Sequence, residues 1–134
     1  KMAVNPYQKY KTQAIMTASP GDLTLMLYDG CIKQMNLALL HIEENNHELK
    51  NNAIQKAEAI LTELMSTLDM SYELSNNLFQ IYEYVYRLLI LANISNDTEK
   101  LNEAINRITE IRDAWEEAIK IERKVAYDNT GDGA

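Results

Sequence analysis

The sequence is poor in the residues that enzymes and disulfide-bonded proteins depend on. Its 134 residues include one cysteine, Cys31, and two histidines, with no glycine-rich phosphate loop, Cys-x-x-Cys pair or His-Glu-x-x-His motif. A lone cysteine excludes a disulfide within the chain, and in an apolar helical pattern it is usually a small buried side chain. We therefore expect no enzymatic activity, no cofactor and no catalytic role for Cys31.

Histidine is too scarce for the metal centre that helical bundles often carry. Carboxylate-bridged di-metal sites need a Glu-x-x-His pair on each of two helices, with a glutamate from each of the other two. The sequence offers one such pair, Glu44 with His47, and that pair spans the helix-breaking Asn45-Asn46. We predict no metal site, and a metal-dependent enzyme is kept only as an alternative.

Positive charge is also scarce. Twenty acidic residues against 13 basic ones give a net charge of -7, which opposes nonspecific binding to nucleic acid or to an anionic membrane surface. Charged residues such as Asp29 and Arg87 interrupt the longest apolar stretches, and the N-terminus has no apolar core of a signal peptide. We expect a cytoplasmic protein with no nucleic-acid partner and no membrane insertion.

Only two prolines are present and strand-like alternation is missing, so helical periodicity dominates the sequence. The segment 19–22, Ser-Pro-Gly-Asp, is typical of a helix start, and Asn96 with Glu99 resembles a capping box that opens the last helix. The core row of that last helix is predicted to be Leu101, Ile105, Ile108, Ile111, Trp115 and Ile119.

Four long helical patterns joined by short breaks predict an all-α fold, an antiparallel four-helix bundle. We place the bundle at residues 19–127. An additional short N-terminal helical arm occupies residues 1–18, and the polar, glycine-bearing residues 128–134 are predicted to be a disordered tail.

Two of the predicted helices are more apolar than packing on one side requires. Residues 23–40 and 74–94 each carry two neighbouring apolar rows at helical spacing, whereas a surface helix needs one. Either these helices are contacted on several sides, or part of their apolar surface forms an open groove. The arm has apolar side chains near helical spacing and could cover such a groove. It would be only marginally bound, because the free energy gained by burying these side chains nearly equals the conformational entropy cost of ordering the arm.

Five short motifs occur in an order that resembles one known protein family. They are Asn5-Pro6-Tyr7-x-x-Tyr10, Thr17-Ala18-Ser19-Pro20-Gly21-Asp22-Leu23, Leu27-Tyr28-Asp29-Gly30, Ile81-Tyr82-Glu83-Tyr84-Val85-Tyr86-Arg87-Leu88 and Arg112-Asp113-Ala114-Trp115. Over residues 5–124 the chain resembles the flagellar secretion chaperones of the FliS type. The segment 89–91, Leu-Ile-Leu, departs from that pattern because it is more apolar than expected.

The resemblance implies a chaperone of the bacterial cytosol that binds the disordered C-terminal segment of flagellin. Such a protein prevents premature polymerisation of flagellin and assists its delivery to the flagellar type III export apparatus, in an expected one-to-one complex. The alternative is a self-assembling helical-bundle structural or adaptor protein without a flagellin client.

We predict which residues contact flagellin from the apolar rows together with the resemblance. Core packing is the competing interpretation for the tyrosines, and the arm is expected to occupy or flank the site in the free protein. The predicted contact residues are Tyr7, Tyr10, Leu25, Tyr28, Ile32, Met35, Tyr82 and Tyr86.

Overall fold

The computed structural model describes residues 20–131 as four α-helices joined by short connections. These are α1 (Pro20–Glu43), α2 (His47–Ser66), α3 (Glu73–Ser95) and α4 (Thr98–Gly131). The described residues contain no strand, and α1 packs against α2 and α4 while α3 packs against α4 and α2. The predicted all-α helical bundle is confirmed. The predicted arm, with Tyr7 and Tyr10, lies outside the described residues.

Asparagine and aspartate side chains set the helix boundaries. Asn46 caps α2 by accepting a hydrogen bond from the Leu49 N–H at 3.1 Å. Asp97, not Asn96, caps α4, since its carboxylate accepts from the N–H groups of Glu99 and Lys100. Asn96 instead ends α3 in the left-handed region, with φ 54°, a conformation that asparagine tolerates better than most residues. The predicted capping box of Asn96 with Glu99 is therefore wrong, and α4 begins instead with an aspartate cap one residue later.

Apolar rows from all four helices form one core. On α4, Leu101 and Ile108 are fully buried and Trp115 packs at the edge of the core, as the predicted row requires. The other fully buried large side chains are Tyr28, Cys31, Met35, Ile54, Leu61, Leu64, Tyr82, Val85 and Leu89.

The last helix is longer than predicted. α4 continues through Gly131, so residues 128–131 of the predicted tail are helical, and residues 132–134 lie outside the described residues. Extending an existing helix adds about one hydrogen bond per residue fixed, and no proline interrupts this stretch. Every residue from Ile121 to Thr130 is nevertheless exposed, so this end of α4 adds nothing to the core.

Cys31 shows how closed the core is. Its thiol is fully buried against the Ala57 carbonyl oxygen, 3.8 Å from the sulfur, and burial raises the pKa of Cys31 from 9.0 to about 12. The thiolate fraction near pH 8 is then about a thousandfold lower than in the unfolded chain. We expect iodoacetamide to leave the native protein unmodified under conditions in which the urea-unfolded protein reacts fully, as followed by mass spectrometry. Equal rates of Cys31 modification in the native and the unfolded protein would show that the core opens freely.

None of the helices described within residues 20–131 combines the length and apolarity needed to cross a bilayer. Over the same residues, no group of three or more histidine, cysteine, aspartate or glutamate side chains is placed to hold a metal ion.

Candidate functional site

A large apolar groove lies between α1, the end of α2 and the start of α3. Its volume is about 910 Å³. Leu74, at the start of α3, lines the groove and is 64% exposed, so this apolar wall is open to solvent. The apolar side chains along the groove are Leu23, Met26, Leu27, Leu68, Tyr72, Leu74 and Leu78.

Three aromatic side chains from three helices line the base of the groove and contact one another there. The hydroxyl groups of Tyr28 on α1 and Tyr82 on α3 are hydrogen-bonded at 2.5 Å. The Tyr28 ring meets the edge of Trp115 on α4, with 6.1 Å between ring centroids, and Trp115 Nε1–H donates to the Gly21 carbonyl at 3.0 Å. Burial raises the pKa of both tyrosines, so both hydroxyl groups stay protonated at neutral pH. This cluster fixes α1, α3 and α4 relative to one another.

Ion pairs hold α4 against α1 beside the groove. Arg112 Nε donates to Asp29 at 2.7 Å, and its other nitrogens contact Asp113 and Glu116. The carboxylates of Asp29 and Asp113 accept these hydrogen bonds and hold the pKa of Arg112 well above its usual range. Asp113 and Glu116 lie on α4 itself, so the pairs that join α4 to α1 are Arg112–Asp29 and Arg123–Asp22. They are partly exposed, and each adds little stability.

The rim of the groove also carries charge. Asp69 accepts hydrogen bonds from the Ser71 hydroxyl at 2.7 Å and the Ser71 N–H at 3.0 Å, which lower the pKa of Asp69. Glu63 and Lys33 line the same groove and are exposed. The groove therefore has apolar walls with charged groups at its edges, the arrangement expected for an amphipathic segment.

The structure places the six predicted contact residues that it describes in different environments, and Tyr7 and Tyr10 lie outside the described residues. Tyr28 and Tyr82 line the groove but are buried with 0% and 1% exposure, because their hydroxyl groups satisfy each other inside the core. Met35 is also fully buried and does not line the groove. The remaining described members, half-buried and outside the groove lining, are Leu25, Ile32 and Tyr86. Contact of any of these residues with flagellin stays a prediction.

The predicted set missed the apolar side chains that line the groove. On α1 these include Leu23, Met26 and Leu27, which lie in a different apolar row of residues 23–40 from the predicted Leu25 and Met35. Both rows have helical spacing, so periodicity alone does not show which one faces the neighbouring helices. Leu74 and Leu78 contribute the opposite wall from α3.

Comparison with known proteins places the chain in a family. Residues 3–122 match the family described as flagellar protein FliS. The flagellar secretion chaperone FliS of Bacillus subtilis is 46% identical over 127 residues, which cover 95% of this chain and 96% of the relative. FliS of Escherichia coli K12 is 35% identical over 109 residues, covering 79% and 80% of the two chains, and FliSB of Pseudomonas aeruginosa is 32% identical over 117 residues, covering 85% and 93%. The chain belongs to the FliS family of flagellar secretion chaperones.

Proposed function

We propose that this protein is a cytoplasmic export chaperone that binds the disordered C-terminal segment of flagellin in the groove between α1 and α3. Binding would prevent premature polymerisation and assist delivery of flagellin to the flagellar type III export apparatus. The observation that carries the proposal is the open apolar groove of about 910 Å³ in a protein of the FliS family.

The physical chemistry of the groove suits a client that folds as it binds. A disordered segment can form an amphipathic helix, bury its apolar face against residues such as Leu27, Leu74 and Leu78, and keep its polar face in water. Ordering the segment offsets part of the gain from burial, so the complex combines a large contact area with moderate affinity. Moderate affinity is what release at the export apparatus requires. One segment in one groove gives a one-to-one complex.

The proposal is tested by placing a charge on the groove wall without disturbing the core. Leu74 is 64% exposed and lies in the first turn of α3, where an acidic side chain is compatible with the helix dipole. We expect Leu74→Asp to weaken binding of a flagellin C-terminal fragment by at least about tenfold, because a carboxylate would be desolvated against the apolar face of the client. Isothermal titration calorimetry measures the affinity.

The matched control is Ile94→Asp. Ile94 is 77% exposed on the same helix and does not line the groove. Its variant is expected to bind the fragment as the parent protein does, and circular dichroism should show both variants folded and the parent complex gaining helix content. If Leu74→Asp and the parent protein bind the fragment with equal affinity, the groove is not the binding site.

A further inference from the structure

A second apolar surface lies between α2 and α3, toward the ends of these helices that are remote from the groove. Ile90 and Ile94 stand one turn apart on α3 and are 40% and 77% exposed. They line a shallow depression of about 420 Å³, which we call the seam. The other residues of the seam are Lys50, Asn51, Glu58 and Asn93, and none of the six lines the groove.

A carboxylate on the α2 wall of the seam has no cation beside it. Glu58 is half-buried, and its carboxylate forms no hydrogen bond or ion pair with the other described residues, so its oxygen atoms are hydrated by water. Partial burial raises the pKa of Glu58, because the surroundings disfavour the charged form. The Lys50 amine does not compensate, since it donates to the Asn93 carbonyl and to Asn96. The seam therefore favours a partner that brings a cation together with apolar side chains.

The exposed end of α4 carries both of these features. Ile121 and Val125 stand one turn apart and are 57% and 53% exposed. Lys124 lies one turn after Ile121, at the edge of this apolar row, and its amine forms no ion pair with any other residue that the structure describes. Most helical stability in proteins comes from packing of an apolar face, so this end of α4 would be stabilised by a surface such as the seam.

We propose that the end of α4 of one copy of this protein docks on the seam of a second copy, with the apolar pair of α4 against that of α3 and the Lys124 amine beside the Glu58 carboxylate. The two surfaces differ, so the contact joins successive copies head to tail. The inference does not depend on flagellin binding, because neither surface lines the groove.

The contact is weak by its size and charge. It uses few side chains from each copy, which is less than the roughly 1,200 Å² that stable interfaces bury, and each copy has a net charge of -7. We expect a dissociation constant on the order of 0.1–1 mM. Sedimentation equilibrium of the full chain should show a weight-average mass that rises with protein concentration over this range.

Charge reversal at the two positions tests the pairing. Glu58→Lys and Lys124→Glu each place like charges against each other, so each variant alone is expected to associate at least about tenfold more weakly than the parent protein. An equimolar mixture of the two variants should associate as the parent does, because every contact between them again joins opposite charges.

The matched control is Glu43→Lys, which makes the same change in net charge at an exposed position at the end of α1, outside the seam. It should associate at least as well as the parent protein. Both glutamate variants reduce the net repulsion between copies, so a general charge effect would strengthen association in both. Circular dichroism checks folding, and Glu58→Gln, which keeps the shape of the side chain, should weaken association about threefold if Glu58→Lys does not fold.

Three results would overturn the inference. The first is a parent protein that stays monomeric up to about 1 mM. The second is undiminished association of Glu58→Lys, which would mean that copies meet at another surface. The third is a mixture of the two reversed variants that associates no better than either alone, since Glu58 and Lys124 would then not be partners. Each of these results leaves the proposed binding of flagellin in the groove unchanged.

Discussion

Replacing Tyr28 by alanine is expected to lower the free energy of unfolding by about 3–5 kcal/mol, as deletion of a fully buried aromatic side chain usually does. Tyr28 is fully buried, its ring contacts both Tyr82 and Trp115, and its hydroxyl is hydrogen-bonded to that of Tyr82. Alanine would leave a cavity where three helices meet and would remove the partner of a buried hydroxyl. Urea denaturation followed by circular dichroism measures the change.

Two further variants separate the contributions at Tyr28. Tyr28→Phe keeps the ring and removes the hydroxyl, so it should lose only about 1–3 kcal/mol, the penalty for an unpaired buried hydroxyl on Tyr82. Tyr127→Ala removes a tyrosine that is 76% exposed near the end of α4 and should change stability by no more than about 0.5 kcal/mol. A Tyr28→Ala protein as stable as the parent, but unable to bind flagellin, would instead place Tyr28 on the binding surface.

The helices could be predicted from the sequence because their boundaries carry local signals. Pro20 marks the start of α1, and the breaks at Asn45-Asn46 and Asn96-Asp97 fall where the helices end. The sequence predicted Asn96 as the N-cap of α4, whereas Asp97 is that cap and Asn96 ends α3. Both residue types suit a helix end, so the sequence alone did not distinguish them.

The location of the groove could be predicted only in part. The surplus of apolar residues in 23–40 and 74–94 predicted either contacts on several sides or an open groove, and the observed groove is lined from both stretches. The burial of Tyr28 and Tyr82 could not be predicted, because it depends on a hydrogen bond between residues 54 positions apart. A tyrosine suits both a core and a half-exposed site, so its pattern in the sequence does not distinguish them.

The burial of Lys50 on α2 could not be predicted from the sequence for a related reason. It occupies the same face of α2 as the buried Ala53, Ile54 and Ala57, yet a charged residue is ordinarily expected at the surface. Its burial depends on acceptor groups at the end of a different helix, more than 40 positions away in the sequence, and no local signal reports them.

The buried Lys50 completes the C-terminal end of α3, and removing its amine should destabilise the bundle by about 1.5–3 kcal/mol, the range for a hydrogen bond to a charged group. Lys50 is 6% exposed, and its Nζ donates to the Asn93 carbonyl at 2.9 Å and to Asn96 Oδ1 at 2.7 Å. The positive charge also lies at the negative end of the α3 dipole. Lys50→Met keeps most of the side-chain volume but leaves both oxygen atoms without this donor.

The matched control is Lys56→Met, at an exposed position on the same helix, which should change stability by no more than about 0.5 kcal/mol. Urea denaturation measures both variants, and amide hydrogen exchange should accelerate in the last turn of α3 when Lys50 is replaced. The groove is built from the opposite ends of α1, α2 and α3, so Lys50→Met should bind the flagellin fragment normally while it remains folded. Equal stability of the two variants would mean that water replaces the amine at the end of α3 without loss, and that the hydrogen bonds of Lys50 do not stabilise the bundle.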